Sequence, residues 1–226
     1  MKTEIRRLHF YKEAADIFTM YRNREMAVFL DSALENNLGR YSVIGLYPYI
    51  VLREENGICY RNGEKQPESF EKILDEELQK RKEKNPTELP LTGGAIGYFS
   101  YDYGRKFEQI CTRHPKKIRM PEAMFVFYDV LIIEDKKEKT LFLTARGETD
   151  DAKHLLDQVE KEIFHCEPQK KPDRQHHLAD FTPNFEKEEY KQTVQRMIDY
   201  IVEGDIYIAN MTQQLTVKSE KDPYEV

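Results

Sequence analysis

Apolar and polar positions change period several times along the chain, and each change predicts an element. Over residues 11–24, Ala14, Ala15, Phe18 and Tyr21 fall on one side of a helix. Residues 26–31 form a short apolar strand, and the turn residues Asn36, Asn37 and Gly39 place a loop before a second strand that reaches Gly45. Strand character resumes at 50–53 and 58–61, with Glu54-Glu55-Asn56-Gly57 as the hairpin turn. Residues 69–84 return to helical spacing, with Phe70, Ile73, Leu74 and Leu78 as the buried side and a Lys- and Glu-rich face turned to solvent. Strands follow at 93–102, 124–134 and 140–146, then a helix over 152–164 that buries Leu155, Leu156, Val159 and Ile163.

Residues 167–177 are polar, contain proline and lack periodicity, so a linker is placed at 165–181. Beyond it, Tyr190, Val194, Met197, Ile198, Ile201 and Val202 predict an amphipathic helix, with Thr182-Pro183 as N-cap and first turn. Glu186, Glu188 and Glu189 suit the positive end of its dipole, and Gly204 ends it. The strand expected next turns Tyr207, Ala209, Met211, Leu215 and Val217 to the core. Ile206, Ile208, Asn210, Thr212 and Gln214 lie on its other face. Pattern alone fits either a ligand-facing strand or one whose polar face meets water. Hairpin-linked strands with segregated helices predict an α+β fold of mainly antiparallel, β-sandwich-like sheets with peripheral helices. Three regions result: 1–164, the linker at 165–181, and 182–226, which reads as the incomplete start of something further. A chain ending there is expected to leave Met211, Leu215 and Val217 short of partners, with an exposed edge.

Composition narrows the function classes. The 226 residues are 39% hydrophobic and 34% charged with a net charge of −6, enough chain for a sizeable core. Lysines and glutamates are interleaved, which argues against a nucleic-acid partner, and no apolar run approaches a membrane span. Cys59, Cys111 and Cys166 are widely spaced and predict reduced thiols of a cytoplasmic protein, with neither a disulfide framework nor a zinc site. His176-His177 are adjacent, point in different directions and have no third ligand nearby. The glycine-rich run at 93–102 lacks a Gly-Lys-Ser/Thr ending, so its glycines are expected to permit close backbone approach rather than to cradle phosphate.

Three blocks in order carry a family resemblance. Phe29-Leu30-Asp31-Ser32-Ala33 with the run from Gly39 to Gly45 is the first. The run from Gly93 to Asp102 is the second, and Gly204-Asp205-Ile206-Tyr207 with Asn210 and Gln213 is the third. Together they resemble the anthranilate synthase component I family of chorismate-using enzymes, over essentially the whole chain but only about the front half of a typical member. Within that family the nearer resemblance, resting chiefly on Asn210, is to aminodeoxychorismate synthase component I. That branch makes the precursor of 4-aminobenzoate for folate, and anthranilate synthase is the alternative. Ile208 stands where water-adding relatives carry a lysine, which argues against isochorismate or salicylate formation. Ile208 and Gln214 also depart from the pattern of the aminating enzymes.

The resemblance implies that ammonia from a glutamine amidotransferase subunit replaces the C4 hydroxyl of chorismate, with Mg2+ and a general acid. The family's catalytic residues and metal ligands match no position here, so none is assigned and this chain alone is expected to be inactive. Asn210 and Thr212 are implied to line the substrate pocket. Ser32, with Leu38, Gly39, Arg40 and Tyr41, is implied to bind tryptophan, with Leu30 adding an apolar wall and Asp31 replacing the common glutamate. A serine hydroxyl satisfied by a neighbouring turn amide is the plainer alternative. A tryptophan-binding sensor and an amidotransferase-docking module remain as non-catalytic alternatives.

Overall fold

The computed structural model describes residues 2–34, 36, 38–108, 118–168, 180–220 and 224. In chain order the elements are β1 Glu4–Arg7, α1 Ala14–Tyr21, β2 Val28–Leu30, β3 Tyr41–Glu55, β4 Ile58–Arg61, β5 Glu64–Lys65, α2 Phe70–Lys80 and β6 Ala95–Phe99. A 3-10 turn at Tyr101–Gly104 and the short α3 Arg105–Glu108 follow, then β7 Ala123–Asp135, β8 Thr140–Ala145, α4 Ala152–Phe164, β9 Thr182–Pro183, α5 Lys187–Glu203 and β10 Leu215–Thr216. They fall into two units, Met1–Lys170 and Lys171–Val226.

The first unit is built on two long antiparallel strands, β3 and β7, which pair from Tyr41↔Asp135 to Glu54↔Ala123. Each has different outer neighbours along its two halves. The end of β7 carries β8 and then β1, while the start of β3 carries β2; the start of β7 carries β6, while the end of β3 carries β4 and then β5. The halves meet at a register shift between Pro48 and Ile50, where Tyr47 has φ 57°. A proline without an N–H and a residue with positive φ are what a bulge accommodates. The eight strands thus form one bent antiparallel sheet.

Three apolar clusters follow from that bend. Helices α1 and α4 bury Ile17, Tyr21, Leu155 and Val159 against Ile44, Ile132 and Leu143 on one half. Helix α2 and the 3-10 turn bury Phe70, Ile73 and Tyr103 against Ile50, Leu52 and Phe127 on the other. The opposite face holds Val43, Val126, Tyr128, Leu131 and Ile133 with Leu89. Helix α4 has the expected limits and buried residues, and Asp151 caps it by accepting from the His154 amide at 3.0 Å.

Several expectations need correction. Ala15 is exposed and Ile17 takes its place on the inner side of α1, because three-residue spacing from Ala14 fits the helix better than adjacency. In α2, Leu78 is 40% exposed while Glu77 is 5% exposed, so the charged face is not wholly solvated. Glu77 is drawn in by Arg81, Lys80 and Arg61, whose nitrogens lie 2.5, 3.1 and 3.7 Å from its carboxylate. β1, at the polar start, was not expected; it forms because β8 offers an open edge. Cys111 and His176-His177 lie outside the described residues.

In the second unit, Thr182-Pro183 forms β9 rather than a cap, pairing Pro183 with Leu215 and Thr182 with Thr216. Helix α5 starts after Glu186, without a side-chain cap, and ends at Gly204 in the left-handed conformation. The expected strand beyond it shrinks to β10. A strand persists only where a neighbour takes its backbone hydrogen bonds, and among the described residues β9 supplies a two-residue partner. The core face fails with it: Tyr207 is 95% and Leu215 53% exposed, and Val217 is exposed too. Ile206 and Met211, from opposite predicted faces, are the half-buried residues.

Candidate functional site

Residues 31–40 join β2 to β3. Asn36 Oδ1 accepts from the amides of Leu38 and Gly39, both at 2.8 Å, a side-chain-closed turn. A Cβ on Gly39 would stand 2.1 Å from the Leu34 carbonyl oxygen, so the turn admits no side chain there.

The base of this loop is a polar clamp. Ser32 Oγ donates to the Tyr41 carbonyl at 2.6 Å, and the Ser32 amide donates to Ser42 Oγ at 3.1 Å. Ser42, fully buried, donates to Asp31 Oδ1 at 2.9 Å. Lys136 Nζ donates to Asp31 Oδ1 at 3.0 Å and to the Ser32 carbonyl at 2.8 Å, and its amide donates to the Arg40 carbonyl at 2.9 Å. Arg40 grips Asp135 with Nε at 3.0 and 3.1 Å and Nη2 at 2.5 Å, while its guanidinium lies 4.8 Å from the Tyr41 ring centroid. Those Arg40 hydrogen bonds first, and the Glu138 and Lys137 amides after them, outweigh burial and hold the Asp135 carboxyl below its ordinary range.

The predicted residues Ser32, Gly39, Arg40 and Tyr41 therefore sit at one loop base, whereas Leu38, 96% exposed, stands at the tip with Leu34. Leu30 is half-exposed beside them and encloses nothing. Because the Ser32 proton is committed to a carbonyl, Ser32 can offer a ligand only acceptor lone pairs, with the Asp31 carboxylate next to it. The plainer alternative for Ser32 differs in detail: its partner is a backbone carbonyl, not a turn amide.

Ser42, Asp135 and Lys136 were missed. Asp135 opens the turn Asp135-Lys136-Lys137-Glu138 and accepts from the amides two and three residues on, each at 3.1 Å. An aspartate at a turn's first position signals that much, but not its hold on Arg40, which lies 95 residues away. Beneath the loop, the Tyr128 ring covers Gly45, where a Cβ would approach to 2.8 Å, and its hydroxyl donates to the Met26 carbonyl at 2.6 Å. Burial pushes that phenol up to about 12.

The second unit presents Asn210 and Thr212, both exposed, on the extended segment after Gly204. The segment is held at several points. Tyr190 Oη donates to the Met211 carbonyl at 3.2 Å, the Gln214 amide donates to Asn184 Oδ1 at 2.7 Å, and the Asn184 amide donates to the Gln214 carbonyl at 3.0 Å. A carboxamide and a hydroxyl on fixed backbone can hydrogen-bond a polar ligand in a set direction.

Among the described residues no three His, Cys, Asp or Glu side chains come together to hold a metal ion, and no helix is long and apolar enough to cross a membrane. Cys59 and Cys166 are free and buried; burial pushes both thiols up, away from nucleophile chemistry.

Comparison with known proteins adds independent findings. The family model described as chorismate binding enzyme matches residues 31–226. The chain is 26% identical over 201 residues to anthranilate synthase component 1 of Thermus thermophilus, an alignment spanning 88% of this chain and 44% of that protein. It is also 26% identical over 227 residues to aminodeoxychorismate synthase component 1 of Bacillus subtilis, spanning 91% of this chain and 45% of that protein. Among solved structures, anthranilate synthase component I of Streptococcus pneumoniae superposes with a TM-score of 0.66 at 23% identity, covering 92% of this chain and 48% of that one. That likeness bears out the α+β fold with antiparallel sheet. The chain spans less than half the length of each of these proteins.

Proposed function

This chain belongs to the chorismate binding enzyme family, and from that premise we propose that it is the front part of an enzyme that aminates chorismate to 4-amino-4-deoxychorismate, on the route to 4-aminobenzoate and folate. The observation that carries the reading is Asn210: an exposed carboxamide on a segment pinned through Met211 and Gln214. A carboxamide offers both donor and acceptor to a substrate bearing carboxylates and a hydroxyl, which an aliphatic residue there could not. Thr212 adds a hydroxyl two residues on. Ammonia would come from a glutamine amidotransferase partner. Mg2+ would neutralise the substrate carboxylate when bound, but the described residues form no ligand set for it. No catalytic residue is assigned within this chain.

The loop base around Ser32, Gly39, Arg40 and Tyr41, with Leu38 at its tip, is proposed as the place where tryptophan binds. Ser32 Oγ and Asp31 would accept from the amino group. Tyr41, half-buried against Arg40, and exposed Leu38 would contact the indole. Anthranilate synthesis is the second reading, favoured by the relative of that name at 26% identity.

The native polypeptide bearing this chain, given chorismate, ammonia and Mg2+, tests the choice. 4-Aminobenzoate formed only after addition of aminodeoxychorismate lyase is expected. Direct anthranilate fluorescence would replace the first reading with the second, and no product would overturn both.

A further inference from the structure

We propose that the first unit also binds a small carboxylate with an apolar body, in a cleft between the end of α2 and the Thr92-Gly93-Gly94 turn. This site shares no residue with the loop base, and does not depend on the reading above. The cleft has a volume of about 290 Å³ and is lined by Leu78, Arg81, Lys82, Glu83, Thr92, Gly93 and Arg146, with the Phe127 ring against it.

The two arginines carry the argument. Each guanidinium is anchored through Nη1: Arg81 to Glu77 at 2.5 Å, and Arg146 to Glu83 at 3.2 Å. The Nε of each is buried with no hydrogen-bond partner. Glu148 Oε1 stands 3.6 Å from one and 3.7 Å from the other, ion-paired with both but beyond hydrogen-bond distance of either. Buried Nε atoms without a hydrogen bond also occur at Arg53 and Arg61, but at Arg81 and Arg146 two of them belong to side chains that line one cleft. The Arg146 side chain is 8% exposed and that of Arg81 18%, so bulk water does little for either.

Charge and shape then select the ligand. Of the charged residues that line the cleft, Arg81, Lys82 and Arg146 are positive and Glu83 is negative, while Glu77 and Glu148 pair with the arginines from outside the lining. The edge of a guanidinium matches a carboxylate in two parallel hydrogen bonds. Arg81 is already stacked 5.5 Å from the Phe127 ring centroid and 5.3 Å from that of Tyr49, which holds its plane. Thr92, 6% exposed, adds a hydroxyl, and Leu78 with Phe127 gives an apolar wall that a bare inorganic anion would not use. A Cβ on Gly93 would lie 3.7 Å from Arg146 Cδ in ordinary contact, so a side chain there would project into the cleft without straining the backbone.

The 226-residue chain labelled with nitrogen-15 is titrated with benzoate, benzyl alcohol and inorganic phosphate, following the Thr92 and Gly94 amide signals. Saturable shifts with benzoate, weakened about tenfold or more by Gly93→Val and by Arg81→Lys at an unchanged urea midpoint, are expected. Gly93→Val leaves every ion pair in place, so the test survives if the arginine variant fails to fold. Three results would overturn the proposal: no saturable benzoate shift, benzyl alcohol binding as tightly as benzoate, or phosphate displacing benzoate at equal concentration.

Discussion

Replacing Gly97 by alanine should detach β6 from the sheet. Gly97 pairs with Phe125 of β7, and a Cβ at this position would lie 2.0 Å from the Met124 carbonyl oxygen and 2.7 Å from Phe125 Cα. Both obstacles are backbone, so no rotamer change relieves them, and β6 must move away from β7. With it goes Phe99, whose ring centroid lies 4.7 Å from that of Tyr103 and 5.0 Å from that of Phe125. Overpacking of this kind costs about 1–3 kcal/mol, and the loosened aromatic contacts add about 1 kcal/mol more. Against that, alanine restricts the unfolded chain and returns about 0.4–1 kcal/mol. The expected net loss is about 1–3.5 kcal/mol, or roughly 2–14 °C in Tm for a domain of this size. Gly104→Ala is the control: its Cβ meets nothing within 4 Å and its φ is not positive, so its effect should stay within about 0.5 kcal/mol. Urea unfolding followed by circular dichroism measures both. Equal losses in the two variants, or a Gly97→Ala midpoint matching the parent, would show that the β6–β7 approach does not require glycine.

Other predictions follow from single clusters. Asp129, 1% exposed, accepts from the amides of Arg146, Gly147 and Thr149 at 3.0, 2.8 and 2.5 Å and from Thr149 Oγ1 at 2.7 Å. Asp129→Ala should therefore cost about 3–5 kcal/mol in urea unfolding, and a loss below 1 kcal/mol would contradict that. Burial alone would raise Glu71, but hydrogen bonds from Lys106 and Tyr103 outweigh it and hold that carboxyl at about 2. The resulting stability is fully present above the ordinary value of 4.5 and is lost as pH falls towards 2, so the gap between parent and Lys106→Met should narrow over that window. A gap that widens on acidification would reverse the assignment. The chain has no tryptophan of its own, so the emission of added free tryptophan reports its binding directly; Ser32→Ala should weaken that binding about tenfold, and unchanged affinity would remove Ser32 from the site.

Much of the first unit was legible because its elements satisfy themselves locally. Helix α4 carries its own cap at Asp151 and its own apolar stripe, and β7 is a long apolar run buried along most of its length, while β3 was read as two strands because the bulge interrupts it. The close approach expected of the glycine-rich run is met at Gly97. What escaped depends on partners distant in sequence. Glu77 reads as a surface residue until Arg61 and Arg81 close on it, and Asp135 reads as a plain turn residue until Arg40 reaches it. The stretch from Ile206 to Gln214 has the alternation of a strand, yet pattern cannot supply the neighbour that would turn it into one. The loop-base residues are neighbours in sequence and were found together; Lys136, which ties Asp31 to Ser32, was not.

The two readings differ in the carbon of chorismate that receives nitrogen. The native polypeptide bearing this chain, incubated with chorismate, Mg2+ and nitrogen-15 ammonia, gives a product whose labelled position is read by carbon-nitrogen coupling in NMR. The label is expected on C4, in 4-amino-4-deoxychorismate. A label on C2, the position aminated in making anthranilate, would contradict it.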